Sequence, residues 1–243
     1  MTGYQIIMTA GGPETVISSG HSKSFKHDIS IGKTPILDLA FNSYAKNASK
    51  AVLVVHRDAT QSPTVQRIGN SECNTVVVSS PLTTQGALCS AMLAIDSLDF
   101  DAPLFIVPGD SYITGGIDSI FDKLASSSIA AGTVLFKARG DRWSFARLED
   151  ESILEMAEKV EISDNASTGV FYFSKVRDFV GAAEWVLLNN MRTSKDFYVS
   201  SAVNYLVMAG KEVKGLFLNS DQRYFPMSSN EDIESLKRLH EET

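Results

Sequence analysis

Short apolar runs rich in β-branched residues alternate with helical patterns through the first half of the chain. Buried strands are predicted where such runs are bounded by turn-forming residues, at 4–9, 51–56, 74–79, 103–107 and 130–136. Helices are predicted where apolar positions recur every three or four residues, at 35–46, 85–97 and 117–126. This alternation indicates an α/β fold with a mainly parallel sheet and helices on both faces.

The rhythm changes in the second half of the chain. Short strands joined by polar turns are predicted at 144–148, 153–160 and 169–174, which indicates a small antiparallel extension. Helical patterns return at 176–189, 199–209 and 230–241, where Ser229 or Asn230 is a candidate N-cap. No repeat, low-complexity tract or linker divides the sequence, so we expect residues 1–243 to form one domain.

Composition and charge exclude several classes of partner. The net charge is -7 and the isoelectric point is near 5.1, so the chain lacks the basic surface that nucleic-acid binding requires. No apolar run approaches the roughly 20 residues that span a bilayer, and the chain start does not resemble a signal peptide. Cys73 and Cys89 are too few and too isolated in the sequence for a disulfide framework or a four-ligand zinc site. We expect a soluble cytoplasmic protein with no nucleic-acid or membrane partner.

Two loops at the carboxyl ends of predicted parallel strands carry the candidate chemistry. The first contains Ala10, Gly11 and Gly12, and its small residues let backbone N–H groups approach phosphate oxygens. An ordinary turn is the simpler interpretation. The second contains Gly109 and Asp110, and it places a carboxylate suited to Mg²⁺ at the edge where α/β sheets bind ligands. An aspartate that bonds only to its own backbone is the alternative.

Lysines supply positive charge close to the glycine turn. Lys23 and Lys26 follow the turn closely enough to fold back over a bound triphosphate, and Lys33 lies nearby. Neutralising the charge of phosphates requires such a group, although a single lysine is usually only a solvated surface residue. Lys23 and Lys26 both stay candidates.

Taken in order, these segments resemble the sugar-nucleotidyltransferase (nucleotide-sugar pyrophosphorylase) family, and the chain resembles a divergent, dTDP-glucose pyrophosphorylase-like member over nearly its whole length. The matching segments are Ala10-Gly11-Gly12, Gly32-Lys33-Thr34-Pro35-Ile36-Leu37, Thr84-Gln85-Gly86-Ala87, Pro108-Gly109-Asp110, Glu158-Lys159 and Ser167-Thr168-Gly169. The resemblance implies a nucleotide-diphospho-sugar transferase fold, which is Rossmann-like with a mainly parallel mixed sheet.

The resemblance also implies an activity. A phosphate oxygen of a sugar 1-phosphate or similar small acceptor would attack the α-phosphorus of a nucleoside triphosphate, and pyrophosphate would leave, as in the synthesis of surface-polysaccharide precursors. The implied catalytic residues are Asp110, which would also bind Mg²⁺, and either Lys23 or Lys26. The implied nucleotide-binding residues are Ala10, Gly11, Gly12, Gln85, Gly86 and Gly109. The implied acceptor-binding residues are Glu158, Lys159 and Gly169.

Three departures from the family pattern keep alternatives open. One is that the family's signature Pro-Lys pair is missing, which leaves Lys23 and Lys26 as alternatives for its lysine. The first loop lacks the family's arginine, and Pro226 stands where a second metal-binding aspartate is expected, with Asp221 nearby. One alternative is a catalytically impaired homologue that binds a nucleotide or nucleotide sugar. Another is a nucleotide-sugar-dependent glycosyltransferase, although an Asp-x-Asp pair is missing at Asp110. The sequence leaves open the nucleobase, the acceptor and whether the chain forms a homo-oligomer.

Overall fold

The computed structural model describes residues 3–12, 16–19, 22–71 and 74–241, with the backbone alone described at 16–19, 22–24 and 241. Cys73 therefore lies outside the described residues, as does the side chain of Lys23. The strands in chain order are β1 (Gln5–Ala10), β2 (Val16–Ser19), β3 (Ser22–Phe25), β4 (Ser30–Ile31), β5 (Thr34–Pro35), β6 (Lys50–His56), β7 (Thr75–Ser80), β8 (Leu104–Pro108), β9 (Ser111–Thr114), β10 (Ala131–Lys137), β11 (Ser144–Glu149), β12 (Ser152–Glu158), β13 (Asn165–Phe173), β14 (Val213–Phe217) and β15 (Arg223–Pro226).

The helices lie between and after these strands. They are α1 (Ile36–Tyr44), α2 (Pro63–Gly69), α3 (Ala87–Met92), α4 (Asp118–Ser126), α5 (Val176–Leu188), α6 (Val199–Met208) and α7 (Asn230–Glu241). Short 3-10 helices occur at Lys26–Asp28, Arg57–Gln61 and Ile95–Ser97. Within the described residues, no helix is both long and apolar enough to cross a bilayer.

A nine-stranded mixed sheet organises the fold. Strands β7, β6, β1 and β8 are neighbours in parallel pairs, β13 pairs antiparallel with β8 and with β10, and β14 runs parallel to β10. The hairpin β11–β12 is the antiparallel extension that the sequence predicts, and single residue pairs join it to β13 and β14. The parallel strands therefore end together at one edge, where β1 and β8 are adjacent.

Alternating side chains of the sheet enter two hydrophobic cores. On β1, Ile7 packs into one core with α3, α5 and α6, whereas Ile6 and Met8 pack into the other with α1 and α4. All three residues are almost fully buried, and each buried side chain of this size stabilises the fold by about 1.5–3 kcal/mol. The helices cover both faces of the sheet, as the alternation of elements predicts.

Most predicted elements are present with small shifts in their ends. The predicted helix at 85–97 is shorter than expected, since α3 ends at Met92 and a 3-10 helix follows. Strand β12 ends at Glu158 rather than at residue 160, because Lys159 has a positive φ of 58°. The prediction omitted α2, although Ser62 caps it and Pro63 begins it, and it also omitted the strands β2–β5, β9, β14 and β15.

Candidate active site

The loops that follow β1 and β8 touch at the carboxyl edge of the sheet. The Gly109 N–H donates to the Thr9 carbonyl over 2.9 Å. A side chain on Gly109 would place its Cβ 2.7 Å from the Cβ of Ala10, which is closer than two carbon atoms can approach. Glycine at position 109 is therefore what lets the two loops lie in contact and build one site.

A cavity of about 330 Å³ opens above these two loops. It brings together seven of the residues to which the sequence assigned a catalytic or binding role: Ala10, Gly11, Gly12, Lys26, Gly86, Gly109 and Asp110. Gly12 is exposed, and a side chain there would meet no atom of the described residues within 4 Å. The cavity thus has a small-residue backbone wall of the kind that accommodates phosphate groups.

Lys26 and Asp110 form an ion pair beside this backbone wall. Lys26 Nζ lies 3.1 Å from Asp110 Oδ2 and donates to the Ser228 carbonyl over 2.9 Å. The Lys26 side chain is 10% exposed, whereas the Asp110 side chain is 40% exposed. Of the two candidate lysines, Lys26 thus lies in the cavity, while Lys23 lies in β3 with its side chain outside the described part of the structure.

His27 also belongs to this site, although no motif in the sequence marks it as a candidate. It lines the cavity, is 2% exposed, and its Nε2 lies 3.0 Å from the Ala10 carbonyl oxygen. Because a carbonyl oxygen only accepts, Nε2 carries the proton, and Nδ1 is an acceptor with no donor among the described residues. Burial lowers the pKa of His27 to about 4, so the imidazole is neutral at pH 7.

The Ser228 carbonyl, which accepts the hydrogen bond from Lys26, lies just before α7. Ser229 Oγ accepts from the Asp232 N–H, and Asp232 Oδ2 accepts from the Ser229 N–H, a reciprocal pair that caps the helix. Arg142 donates to both Asp232 oxygens and to Ser228 Oγ. Burial raises the pKa of Asp232, but the hydrogen bonds from Arg142 and Ser229 outweigh burial and bring it to about 2. The segment around Ser228 is therefore fixed from two sides.

The carboxylates near Asp110 limit how a metal ion could be held. Pro226 pairs with Ser111, next to Asp110, so the position expected to carry a second carboxylate carries a proline ring. Asp221 is beside Gly115 at the far end of the β9–β15 pair. Among the described residues there is no group of three or more histidine, cysteine or acidic side chains arranged to hold a metal. A metal bound by Asp110 would need its other ligands from water or a substrate.

A turn at Gly86 forms the opposite side of the cavity. Gly86 has a φ of 96°, and a side chain there would collide with the backbone of Phe197. The Phe197 N–H donates to the Gln85 carbonyl over 2.8 Å, so the segment before α6 is fastened to this turn. That contact brings Lys195 and Asp196 to the cavity, while the side chain of Gln85 is exposed and does not line it.

The predicted acceptor residues lie apart from this cavity. Glu158 lines a second cavity of about 440 Å³, and its Oε2 accepts from Ser144 Oγ and from Ser200 Oγ. Lys159 Nζ donates to the Tyr198 hydroxyl over 2.8 Å, which raises the pKa of the lysine. Gly169 is close to Pro108, at the end of β8, without lining either cavity.

The cavity residues that were missed in the sequence include His27, Lys195 and Asp196. No spacing or motif singled them out, since His27 is a lone histidine and the other two precede a helix in an ordinary polar loop. Their shared signal is topological, because each belongs to a segment that the fold returns to the carboxyl edge of the sheet.

The mixed sheet covered by helices matches the folds of solved nucleotidyltransferase-like structures, which confirms the predicted nucleotide-diphospho-sugar transferase fold. The chain is similar to the nucleoside-diphosphate-sugar pyrophosphorylase from Vibrio cholerae RC9, with a TM-score of 0.78 and 17% identity over 96% of this chain and 99% of the other. A protein from Bacillus anthracis, assigned as a glucose-1-phosphate thymidylyltransferase and solved with sucrose, is also similar. Its TM-score is 0.77, with 14% identity over 99% of this chain and 96% of the other.

The inositol-1-phosphate CTP transferase from T. maritima gives a TM-score of 0.76 and 15% identity over 100% of this chain and 98% of the other. These identities establish a shared fold. The sequence matches no protein-family model and no curated protein.

Proposed function

We propose that this chain transfers a nucleotidyl group from a nucleoside triphosphate to a small phosphorylated acceptor, such as a sugar 1-phosphate, and releases pyrophosphate. The observation that carries the proposal is the Lys26–Asp110 pair, which lines the same cavity as the small residues Gly11 and Gly12. Structures with the same fold are described as a pyrophosphorylase, a thymidylyltransferase and a CTP transferase, which supports the same type of reaction.

The reaction forms one bond to the α-phosphorus and breaks another. An acceptor phosphate oxygen attacks in line, and the bond to the β-phosphate breaks with its electron pair leaving on pyrophosphate. Gly11 and Gly12 would hold the triphosphate through backbone N–H groups, and the Lys26 ammonium would neutralise charge that develops on the phosphates. Lys195 would add a second positive charge from the opposite wall. The chain's work is thus positioning and charge stabilisation.

Asp110 fits a magnesium site of the kind that substrates complete. Its carboxylate is partly exposed in the cavity, and Mg²⁺ commonly takes one or two protein carboxylates with water and substrate phosphates as its other ligands. When bound there, Mg²⁺ would neutralise phosphate charge and favour departure of pyrophosphate. Because a single carboxylate holds it, we expect activity to need more Mg²⁺ than a site with two carboxylates would need, and to be lost with EDTA.

We assign the acceptor side to Glu158, Lys159 and Gly169, following the sequence resemblance. Gly169 adjoins Pro108 at the end of β8, one residue before Gly109, which supports a place near the reacting groups. Glu158 and Lys159 are held by hydroxyl groups of Ser144, Ser200 and Tyr198. Hydroxyl groups of a sugar acceptor would compete for the same partners, and a role in surface-polysaccharide precursor synthesis follows if the acceptor is a sugar phosphate.

A second candidate function is nucleotide binding without turnover. It is favoured by two observations: Asp110 is already paired with Lys26, and Pro226 offers no further carboxylate. In this case the chain would bind a nucleoside triphosphate or nucleotide sugar and leave it unchanged.

Pyrophosphate release separates the two candidates. The protein is incubated with Mg²⁺, each common nucleoside triphosphate and a panel of sugar phosphates and other small phosphorylated metabolites. The test variant is Asp110→Asn, which keeps the size of the side chain and removes its charge. The matched control is Asp221→Asn, because Asp221 lies outside the cavity at the far end of the β9–β15 pair.

We expect acceptor-dependent release by the wild type and by Asp221→Asn. We expect Asp110→Asn to be slower by about a hundredfold or more, since one preorganised charge contributes on that scale. Equal rates for Asp110→Asn and the wild type would exclude Asp110 from the chemistry. Nucleotide binding by calorimetry, without release across the whole panel, would favour the binding function.

A further inference from the structure

The 3-10 helix at residues 26–28 connects separate parts of the site. Lys26 reaches the loop after β8 through Asp110. Asp28 fastens the other end of the same helix, since its Oδ1 accepts from Ser62 Oγ over 2.7 Å and from the Thr64 N–H over 3.1 Å. These contacts hold the helix against the start of α2, so the residue between Lys26 and Asp28 has a fixed backbone.

His27 is that residue, and it bonds the loop after β1. Its Nε2–H donates to the Ala10 carbonyl over 3.0 Å. In a trans peptide the carbonyl and the following N–H point in opposite directions, and no cis peptide occurs among the described residues. Fixing the Ala10 carbonyl therefore also fixes the direction of the Gly11 N–H.

Packing alone does not explain a histidine at this position. His27 is almost completely buried, and its Nδ1 has no donor among the described residues. Burying an acceptor without a partner is costly, whereas an apolar side chain of similar size would fill the same space without that cost. The hydrogen bond to Ala10 is what an apolar residue would lose.

We propose that His27 is a positioning residue, which holds the Ala10–Gly11 peptide so that the Gly11 N–H is directed at a phosphate oxygen of the substrate. This inference rests on the proposed function, because it takes the cavity to be a phosphate site. Without an arginine in the first loop, the binding of phosphate depends more strongly on backbone N–H groups and lysines. A peptide held in advance binds phosphate without the cost of ordering the loop.

Inorganic tripolyphosphate is a probe of this site that requires neither the correct base nor catalysis. Its affinity is measured by calorimetry for the wild type, His27→Leu, His27→Gln and the control His240→Leu in α7. Gln can donate its amide N–H to the Ala10 carbonyl, whereas Leu cannot. We expect His27→Leu to bind about tenfold more weakly, since a tenfold change corresponds to one well-formed hydrogen bond. We expect His27→Gln and His240→Leu to stay within about twofold of the wild type.

A merely structural role gives a different pattern. In that case His27→Leu would lower the melting temperature without changing affinity for tripolyphosphate, or His27→Gln would fail to restore the affinity. Either result overturns the inference, as does a wild type that does not bind tripolyphosphate. The wild type could also bind tripolyphosphate, and His27→Leu could bind it more weakly as expected, while no pyrophosphate is released with any substrate. That result would reject the proposed transfer and leave the positioning role in place.

A measurement on the wild type keeps the inference testable if His27→Leu does not fold. Nuclear magnetic resonance of the ¹⁵N-labelled chain reports the imidazole tautomer and the Gly11 amide together. We expect the proton on Nε2 and a shift of the Gly11 amide resonance when tripolyphosphate is added. A proton on Nδ1, or a Gly11 resonance that does not move, would contradict the proposal.

Discussion

The Asp232 carboxylate gives a stability prediction that depends on pH. Its side chain is 10% exposed, it accepts from both terminal nitrogens of Arg142, and it completes the cap of α7 with Ser229. Replacing it in Asp232→Ala removes the ion pair and the cap bond together. The start of α7 then loses the contacts that hold the Ser228 carbonyl in place for Lys26.

The expected cost follows from these contacts. Arg142 is 43% exposed, so the ion pair contributes more than a surface pair, about 0.2–1 kcal/mol, and less than a buried pair, about 3–5 kcal/mol. The cap bond adds about 1 kcal/mol. We therefore expect Asp232→Ala to lower the free energy of unfolding by about 2 kcal/mol at pH 7, or the melting temperature by roughly 4–8 °C for a chain of this length.

The effect should fade in acid. The pKa of Asp232 is lowered from an ordinary value of 3.8 to about 2 in the folded state, so its stabilisation is complete above pH 3.8 and is lost as pH falls through 2. We expect the difference between wild type and variant to be reduced by about half at pH 3.

Urea unfolding at pH 7 and pH 3 measures both differences. The matched control is Glu234→Ala in the same helix, whose pair with Lys237 is exposed and should contribute no more than about 0.5 kcal/mol. A loss in Asp232→Ala as small as that of the control would refute the assigned role of the carboxylate. So would a difference that stays constant between the two pH values.

Two further predictions concern the far wall of the cavity. Gly86→Ala should lower the free energy of unfolding by more than about 1 kcal/mol and weaken nucleotide binding, because the φ of Gly86 is 96° and the new Cβ would collide with Phe197. The control is Gly181→Ala in α5, which should raise the free energy of unfolding because, apart from the neighbouring backbone, no described atom lies within 4 Å of the new Cβ. Urea unfolding compares the two variants. Lys195→Ala should raise the KM for the nucleoside triphosphate about fivefold with an unchanged melting temperature, because an exposed lysine facing a phosphate site loses only charge neutralisation. Steady-state kinetics with Lys211→Ala as control measures this, and equal KM values for the two variants would exclude Lys195 from the site.

The sequence predicted the sheet and the two loops at its edge because both depend on local patterns. Apolar runs mark β1 and β8, and the small residues that follow them indicate loops where backbone can approach a ligand. The same reasoning placed Gly11, Gly12 and Asp110 in one site, and the structure brings them to one cavity.

The missed residues depend on contacts between distant segments. The choice between Lys23 and Lys26 needs the path of the chain after β3, where a 3-10 helix turns Lys26 toward Asp110. Lys195 and Asp196 reach the cavity because the Phe197 backbone bonds the turn at Gly86, and neither partner carries a local signal for that pairing. Sequence periodicity reports which face of an element is buried, not which loop it meets.

The destination of the α-phosphate of the nucleoside triphosphate tests nucleotidyl transfer most directly. A triphosphate labelled with ³²P at the α-position is incubated with the protein, Mg²⁺ and a phosphorylated acceptor, and the products are separated by chromatography. We expect the label to move into a nucleotide–acceptor product only when the acceptor is present, and not with Asp110→Asn. Label that stays in the triphosphate, or that appears as nucleoside monophosphate regardless of the acceptor, would contradict nucleotidyl transfer by this site.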